Sequence, residues 1–387
     1  MLQGRIAQRR AQDLFRFRRI IEQATMPATR VDGRDVVVFC SNDYLGLAND
    51  PRLKAVARQA IEQYGVGSGA SQLVSGHHVL HRQLEERLAD WLGRERALLF
   101  SSGYLANSGV IPALVGQGDC IVSDALNHAS LIDGMRLSRA QRKVYVHADV
   151  ADATQLLAET TGGQRLLVSD AVFSMDGDRA PLPALAQASR ESNAWLMVDD
   201  AHGLGVLGPQ GAGAVAEAGL DQDNVPILMG TLGKSLGSAG AFVAGSEALI
   251  DYLIQHARSL IYSTASPPAL AAAAIAAIDV AQAEPERREH LHRMVQRFRQ
   301  GAAQFCPGLL ESTTPIQPLV LGDAALALRV SEHLLDAGFL VTAIRPPTVP
   351  DGTARLRITL SAAHHAGQVD DLLTSLHDAL RREGLCP

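Results

Sequence analysis

The chain has 387 residues, 47% of them hydrophobic and 20% charged, with a formal net charge of −6 at pH 7. That length accommodates one large domain and a smaller one, each with its own core, and the composition excludes a disordered chain. The acidic balance gives no general attraction to nucleic acid or anionic membranes, so an acidic ligand must be held by a local site.

Arg5, Arg9, Arg10, Arg16, Arg18 and Arg19 crowd the N-terminal segment. Asp13 and Glu22 interrupt them, serine is lacking, and Leu14, Phe17 and Ile21 are spaced like one helix face. A mature helix with a solvated basic side is expected there rather than a transit peptide. Pro51 after Asp50 starts a helix that should stop near Gly65, and a Gly/Ser-rich loop over 65–76 leads into another helix ending near Gly93.

From about residue 95, short apolar strands alternate with helical segments. Strands are expected at Arg96–Phe100, Cys120–Ser123, Val144–His147, Leu166–Ser169, Trp195–Val198, Ile227–Met229 and Ala241–Val243. Several are continuous apolar runs, the pattern of a mainly parallel sheet covered by helices on both faces, so the fold class is α/β. The Ala-rich run from Ala269 is too short to span a bilayer and reads as a packed helix. A charged stretch over 284–300 should form a long helix leading to a smaller α/β unit with strands at Ile316–Leu321, Phe339–Ile344 and Arg355–Leu360. The expected organisation is an N-terminal helix and β segment (1–45), a large domain (46–280) and a small C-terminal domain (281–387). Cys40, Cys120, Cys306 and Cys386 are scattered, without a C-x-x-C pair or zinc-spaced histidines, which suits reduced thiols in a cytoplasmic protein and no metal site.

Lys234 is the residue with the most chemical content. It lies in the glycine-flanked run 230–237, and about thirty residues upstream Asp199, Asp200 and His202 close an apolar strand. A strand-end acid and a lysine in a small-residue loop suit pyridoxal 5′-phosphate (PLP): the acid keeps the pyridine nitrogen protonated and the lysine forms the Schiff base. An exposed loop lysine and a capping acid remain the alternative. Strand alternation sends Asp199 and Asp200 to opposite sides, so only one can face a ligand.

Gly203 to Gly208 matches G-x-G-x-x-G, which would point to a dinucleotide site. Residues 199–202 intervene between strand and glycines, however, and Pro209, Gly211 and Gly213 disfavour the helix that motif should open. Ser101-Ser102-Gly103-Tyr104 follows a strand and opens a helix, which makes either a phosphate cradle or a plain N-cap. Asn127-His128 opens another helix, with His128 either incidental or packed flat on a cofactor. Arg345 in the stiff Arg345-Pro346-Pro347-Thr348 segment suits a bidentate carboxylate clamp or an exposed connection.

Ser41-Asn42-Asp43-Tyr44-Leu45-Gly46-Leu47, the loop Gly67 to Gly76, Asn127 to Leu131, Phe173-Ser174-Met175-Asp176-Gly177-Asp178, Asp199 to Gly203 and Gly233-Lys234 together resemble the α-oxoamine synthases, in order and over nearly the whole chain. The resemblance implies PLP fold type I (aspartate-aminotransferase-like), with a mainly parallel central sheet and a smaller C-terminal α/β domain. It implies that Lys234 carries PLP, Asp199 meets the pyridine nitrogen, His202 and Ser174 flank the ring oxygen, and His128 stacks on the ring. Gly103, Tyr104 and Thr231 would hold the phosphate, with Ser263 and Thr264 contributing across a homodimer interface. Asn42 and Arg345 would address the amino-acid carboxylate, Thr348 the acyl substrate, and Arg16 is the N-terminal substrate contact. The segment from Ala343 to Arg357 is most like the biotin-pathway branch, which joins L-alanine to pimeloyl-CoA or pimeloyl-acyl carrier protein with loss of CO2. Glycine- or serine-using members, an aminotransferase, a dinucleotide oxidoreductase and a phosphate-binding module remain alternatives. The chain departs from the family at Ser169-Asp170-Ala171, where an acid followed by glycine is more usual; Asp170 preserves the acid.

Overall fold

The computed structural model describes residues 1–24 and 26–386 and forms two compact units: residues 1–49, 174–178 and 286–387 in one, and 50–173 and 179–285 in the other. Among the described residues, thirteen strands run in chain order as β1 (Ala28–Val31), β2 (Arg34–Val38), β3 (Arg96–Phe100), β4 (Cys120–Asp124), β5 (Gln141–Tyr145), β6 (Arg165–Asp170), β7 (Trp195–Asp199), β8 (Ile227–Thr231), β9 (Ala241–Gly245), β10 (Ile316–Gly322), β11 (Phe339–Leu340), β12 (Thr342–Ile344) and β13 (Ala354–Thr359).

The larger unit is built on a seven-stranded sheet in the order β3-β9-β8-β7-β6-β4-β5. Pairs from β5 to β8 are parallel, and only β9 runs against its neighbours. The apolar runs are buried on both faces: Leu98, Ile121, Val168, Met197 and Val243 pack in one cluster and Val122, Leu167, Leu196, Val198 and Leu228 in another. This alternation of faces is why central strands read as unbroken hydrophobic stretches. β5 ends earlier than its sequence suggests. Val146 is solvent-exposed and Ala148 takes φ 56°, so the edge strand stops at Tyr145 rather than running to His147.

Helices begin and stop where the chain signals them. Asp50 caps Pro51–Tyr64 through Arg52 N and Gly65 ends it, and Gly93 in the left-handed region ends Val79–Leu92. Among the described residues no helix is long and apolar enough to cross a membrane.

The smaller unit contains two three-stranded sheets, β1-β2-β11 and β10-β13-β12. The expected strand over Phe339–Ile344 divides at Val341. β11 pairs parallel with β2, whereas β12 pairs antiparallel with β13. The N-terminal helix also differs from expectation. It spans Leu2–Ala11 and ends before Asp13, whose φ of 56° is a left-handed turn. Leu14 and Phe17 therefore line a cavity instead of sharing a helix face, and Ile21 bridges to Val31. The Ser41-to-Leu47 motif is a built loop. Asp43 accepts the amides of Leu47 and Ala48 at 2.8 and 3.1 Å, and Gly46 approaches Ala363 so closely that a Cβ would sit 2.7 Å from the alanine methyl. Segment 174–178 is fixed in the same unit by Ser312 and Thr314 donating to the Gly177 carbonyl and by the Asp176–Arg355 ion pair.

Asp200 is fully buried: Oδ2 accepts Ala214 N at 2.7 Å, while Oδ1 has no hydrogen-bond partner. Burial pushes its pKa up to about 7. A raised folded-state pKa means that the native state binds the proton more tightly, so stability falls as pH climbs from the ordinary carboxylate range through about 7. Asp200→Asn keeps an acceptor for Ala214 and does not titrate. Its Tm relative to wild type should therefore be higher at pH 8 than at pH 5, by thermal melts at both; parallel Tm curves would contradict this origin.

Candidate active site

The C-terminal ends of the parallel strands are where α/β sheets collect ligand groups, and here they surround Lys234. β8 ends at Thr231, and the following turn presents Lys234 with Nζ 2.8 Å from His202 Nε2. A cavity of about 190 Å³ brings these two together with Gly103, Tyr104, His128, Asp199 and Thr231.

Asp199 ends β7 and is 4% exposed. Its Oδ1 accepts Ala201 N at 3.0 Å and its Oδ2 accepts Asn107 Nδ2 at 2.7 Å. Asp170, its register neighbour on β6, is also buried and lines the cavity. Burial, then the charge of Asp199, push the Asp170 carboxyl well above the usual range. Asp170 Oδ2 accepts His128 N at 2.6 Å, and Asn127 Oδ1 accepts Asp170 N at 2.8 Å. The Asn127-His128 pair thus divides its work: Asn127 is buried scaffold, and His128 faces the cavity as the N-cap of Ala129–Ser138. Burial lowers the His128 pKa, and Lys234 lowers it further against the opposing pull of Asp199.

At the other end of the cavity the helix Gly103–Leu114 begins. Ser102 Oγ accepts Leu105 N at 3.2 Å, whereas the amides of Gly103 and Tyr104 have no acceptor among the described residues. Two free amides at the start of a twelve-residue helix are a ready anion cradle. The Tyr104 hydroxyl is bonded to Asp133, so its contribution is the amide. Thr231 Oγ1 donates to Gly240 O at 3.1 Å and stands in the same lining. The lining groups (two helix amides, the His128 imidazole, a buried carboxylate and a lysine) fit a phosphorylated pyridine aldehyde.

Not every residue singled out in the sequence lies there. Ser263 and Thr264 are not among the lining residues; Thr264 bridges Ser71 and its carbonyl accepts from Ser101 Oγ at 3.2 Å. Ser174, Asn42, Arg345, Arg16 and Thr348 belong to the smaller unit. There Arg345 lines a cavity of about 390 Å³ with Arg16, Thr348, Leu14, Phe17 and Ile344. Arg16 donates to Thr348 Oγ1 at 2.9 Å, and the Arg345 guanidinium caps the carbonyls of Asp13 and Phe15. Asn42 is not in that lining. Its Oδ1 accepts from Tyr44 OH at 3.0 Å and from Arg357 Nη1 at 3.1 Å.

Arg357, Asn107, Ser130 and Asp170 were not selected from the sequence as site residues, although Asp170 was noted there as keeping the family's acid. Arg357 is 6% exposed, donates to Ser174 O at 2.5 Å, and has no carboxylate partner among the described residues. Its neighbour Arg355 is neutralised by Asp176, so alternate residues of β13 separate a structural arginine from an uncompensated one. Asn107 was signalled only by being polar, with its neighbour Ser108, in the mostly apolar helix Gly103–Leu114.

Fold and site define a lysine-centred enzyme of the aminotransferase architecture. The sequence model of the class I and II aminotransferases matches residues 34–376. The 8-amino-7-oxononanoate synthase of Alkalilimnicola ehrlichii is 57% identical over 98% of this chain and 97% of its own length, and that of Pseudomonas putida 56% over 97% and 96%. The chain belongs to the 8-amino-7-oxononanoate synthase family. Among solved structures, a lysine-to-alanine variant of serine palmitoyltransferase from S. paucimobilis with a bound PLP–myriocin aldimine superposes with TM-score 0.94 at 29% identity, covering 99% of this chain and 97% of that one. An 8-amino-7-oxononanoate synthase from Francisella tularensis gives 0.79 at 30%, covering 90% and 99%. Structures of both enzyme names therefore resemble this chain at about 30% identity, and it is the relatives 56–57% identical to it that share one name.

Proposed function

We propose that this chain is a PLP-dependent acyltransferase that condenses L-alanine with a pimeloyl thioester, on coenzyme A or an acyl carrier protein, releasing CO2, the free thiol and 8-amino-7-oxononanoate. The observation that carries it is the cavity in which Lys234, His202 and Asp199 meet beside two free helix amides. When bound, PLP supplies an electron sink for negative charge at the alanine Cα. Lys234 removes and returns the Cα proton, with His202 2.8 Å away to orient it. Asp199, as a buried carboxylate, favours a proton on the pyridine nitrogen. His128 offers its ring face, and Gly103, Tyr104 and Thr231 hold the phosphate.

The substrate assignments divide within the smaller unit. Arg357, seated on neutral acceptors with Asn42, is the anchor for the alanine carboxylate. The cavity with Arg16, Arg345 and Thr348 has apolar walls and three guanidinium groups, Arg19 being the third, against the single acid Glu332, which suits an aliphatic acyl chain with an anionic end. A homodimer is supported by exposed Val66, Val74 and Tyr262, apolar residues that a monomer would leave in water, and Ser263 and Thr264 then reach the partner's phosphate site. Four free thiols suit a reducing cytoplasm.

Purified protein incubated with L-alanine and pimeloyl-CoA should release thiol and CO2 in equal amounts. Glycine, serine or a palmitoyl thioester should support at least ~10-fold slower release, the discrimination expected of a fitted pocket. Keto-acid formation without CO2 would instead make the chain an aminotransferase.

A further inference from the structure

Asn107 lies outside the cavity lining yet is joined to two of its faces. It is 0% exposed, one helical turn beyond Tyr104 in Gly103–Leu114. An amide nitrogen has two hydrogens, and both are used: Nδ2 donates to Asp199 Oδ2 at 2.7 Å and to Ser130 Oγ at 2.9 Å. The reverse orientation of the amide would set Oδ1 against the Asp199 carboxylate, so the assignment is fixed by charge. Since Ser130 Oγ accepts from Asn107, its own hydrogen is directed to His128 Nδ1, 2.7 Å away. The same Nδ1 also lies 3.2 Å from Ser130 N, a longer contact, so the Ser130 hydroxyl is its closer donor. Nδ1 is thereby held as an acceptor, the ring proton stays on Nε2, and a second proton finds no place.

The cost of this arrangement is visible. Asn107 Oδ1 is buried with no hydrogen-bond partner, an expense that a leucine of similar volume would avoid. We propose that Asn107 is a positioning residue that sets the protonation pattern of the cofactor cavity, orienting Asp199 as a carboxylate and, through Ser130, locking His128 as the neutral Nε2–H tautomer. The inference rests on the cavity being the PLP site. The charged and titratable groups around His128 are Asp199, Asp170, Lys234 and His202, and the first two would otherwise draw a proton onto the ring. A neutral ring can lie against an electron-poor pyridinium without charge repulsion, and an imidazolium cannot.

The test compares Asn107→Leu and Ser130→Ala with wild type in the full chain, reading imidazole ¹⁵N shifts and PLP dissociation constants. Wild-type His128 should show a single tautomer with unprotonated Nδ1 through pH 6. In Asn107→Leu, His128 should populate the Nδ1–H form or titrate, and PLP should bind ~10-fold or more weakly, as expected for loss of a hydrogen bond to a buried charge. Ser130→Ala should release the tautomer while leaving PLP affinity within about threefold, because Asp199 keeps its amide partner. A folded Asn107→Leu with wild-type His128 shifts and PLP affinity overturns the proposal. Should Asn107→Leu not fold, an unchanged tautomer in Ser130→Ala overturns it alone. Failure of the wild type to bind PLP at all would sink the cofactor reading, and the tautomer comparison without PLP still decides the role of Asn107.

Discussion

Lys234→Ala is expected to retain PLP weakly and to lose turnover by at least ~10³-fold, within the range for removing a general base that is also the covalent attachment point. Borohydride should fix the cofactor to the wild-type chain at a peptide containing residue 234 and leave the variant unlabelled. On the proposed assignment, the residual cofactor affinity would come from groups that the substitution does not touch: the Gly103 and Tyr104 amides and the Asp199 carboxylate. His202, which faces Lys234 Nζ at 2.8 Å, loses that neighbour in the variant. Peptide mapping after reduction, with steady-state thiol release, checks both halves. Near-wild-type turnover in the variant would remove the proposed chemistry.

The second large effect concerns Arg357. Arg357→Lys keeps the positive charge, which should preserve the fold around Asn42 and Ser174, but loses the planar fork needed to grip a carboxylate through two bonds. The KM for L-alanine should rise by ~10–100-fold, the worth of a charge-assisted hydrogen bond, with the KM for the pimeloyl thioester little changed. Arg345→Lys should show the reverse split, since Arg345 shares its cavity with Arg16 and Thr348. Two variants with opposite KM patterns separate the alanine anchor from the acyl cavity. Identical patterns would place both arginines on one substrate.

Much of the larger unit was legible in the chain because its signals are local. Continuous apolar runs mark strands covered on both sides, and Pro51, Gly65 and Gly93 punctuate helices by backbone rules that hold regardless of tertiary context. The edge strand β5 was harder, since half-polar Gln141 to Tyr145 lacks the pattern and an exposed Val146 mimics it. In the N-terminal segment, helix-like spacing of Leu14, Phe17 and Ile21 arose in coil, where an acavity wall and a β-bridge select the same residues. Within the site, Lys234, Asp199 and His128 were readable because each stands at a strand end with small or polar neighbours. Arg357 was not: the Arg345-Pro-Pro-Thr segment drew attention by its prolines, and what distinguishes Arg357 from Arg355 is which of them has an acidic partner, a property of packing. Asn107 was invisible for a related reason, because its importance lies in two hydrogen bonds made across about 23 and 92 residues of sequence.

Asp199 and Asp200 are neighbours in the chain with unrelated duties, one facing the Lys234 cavity and the other anchoring the amide of Ala214. Strand geometry alone keeps those duties apart, so the arrangement is intolerant of length changes in a way that it is not intolerant of substitutions. Deleting or inserting one residue within β7 would exchange the two carboxylates, moving chemistry to the wrong side and leaving a loop unmoored at the same stroke. Evolutionary drift in this enzyme should therefore spare the length of that strand even where its apolar letters are freely traded.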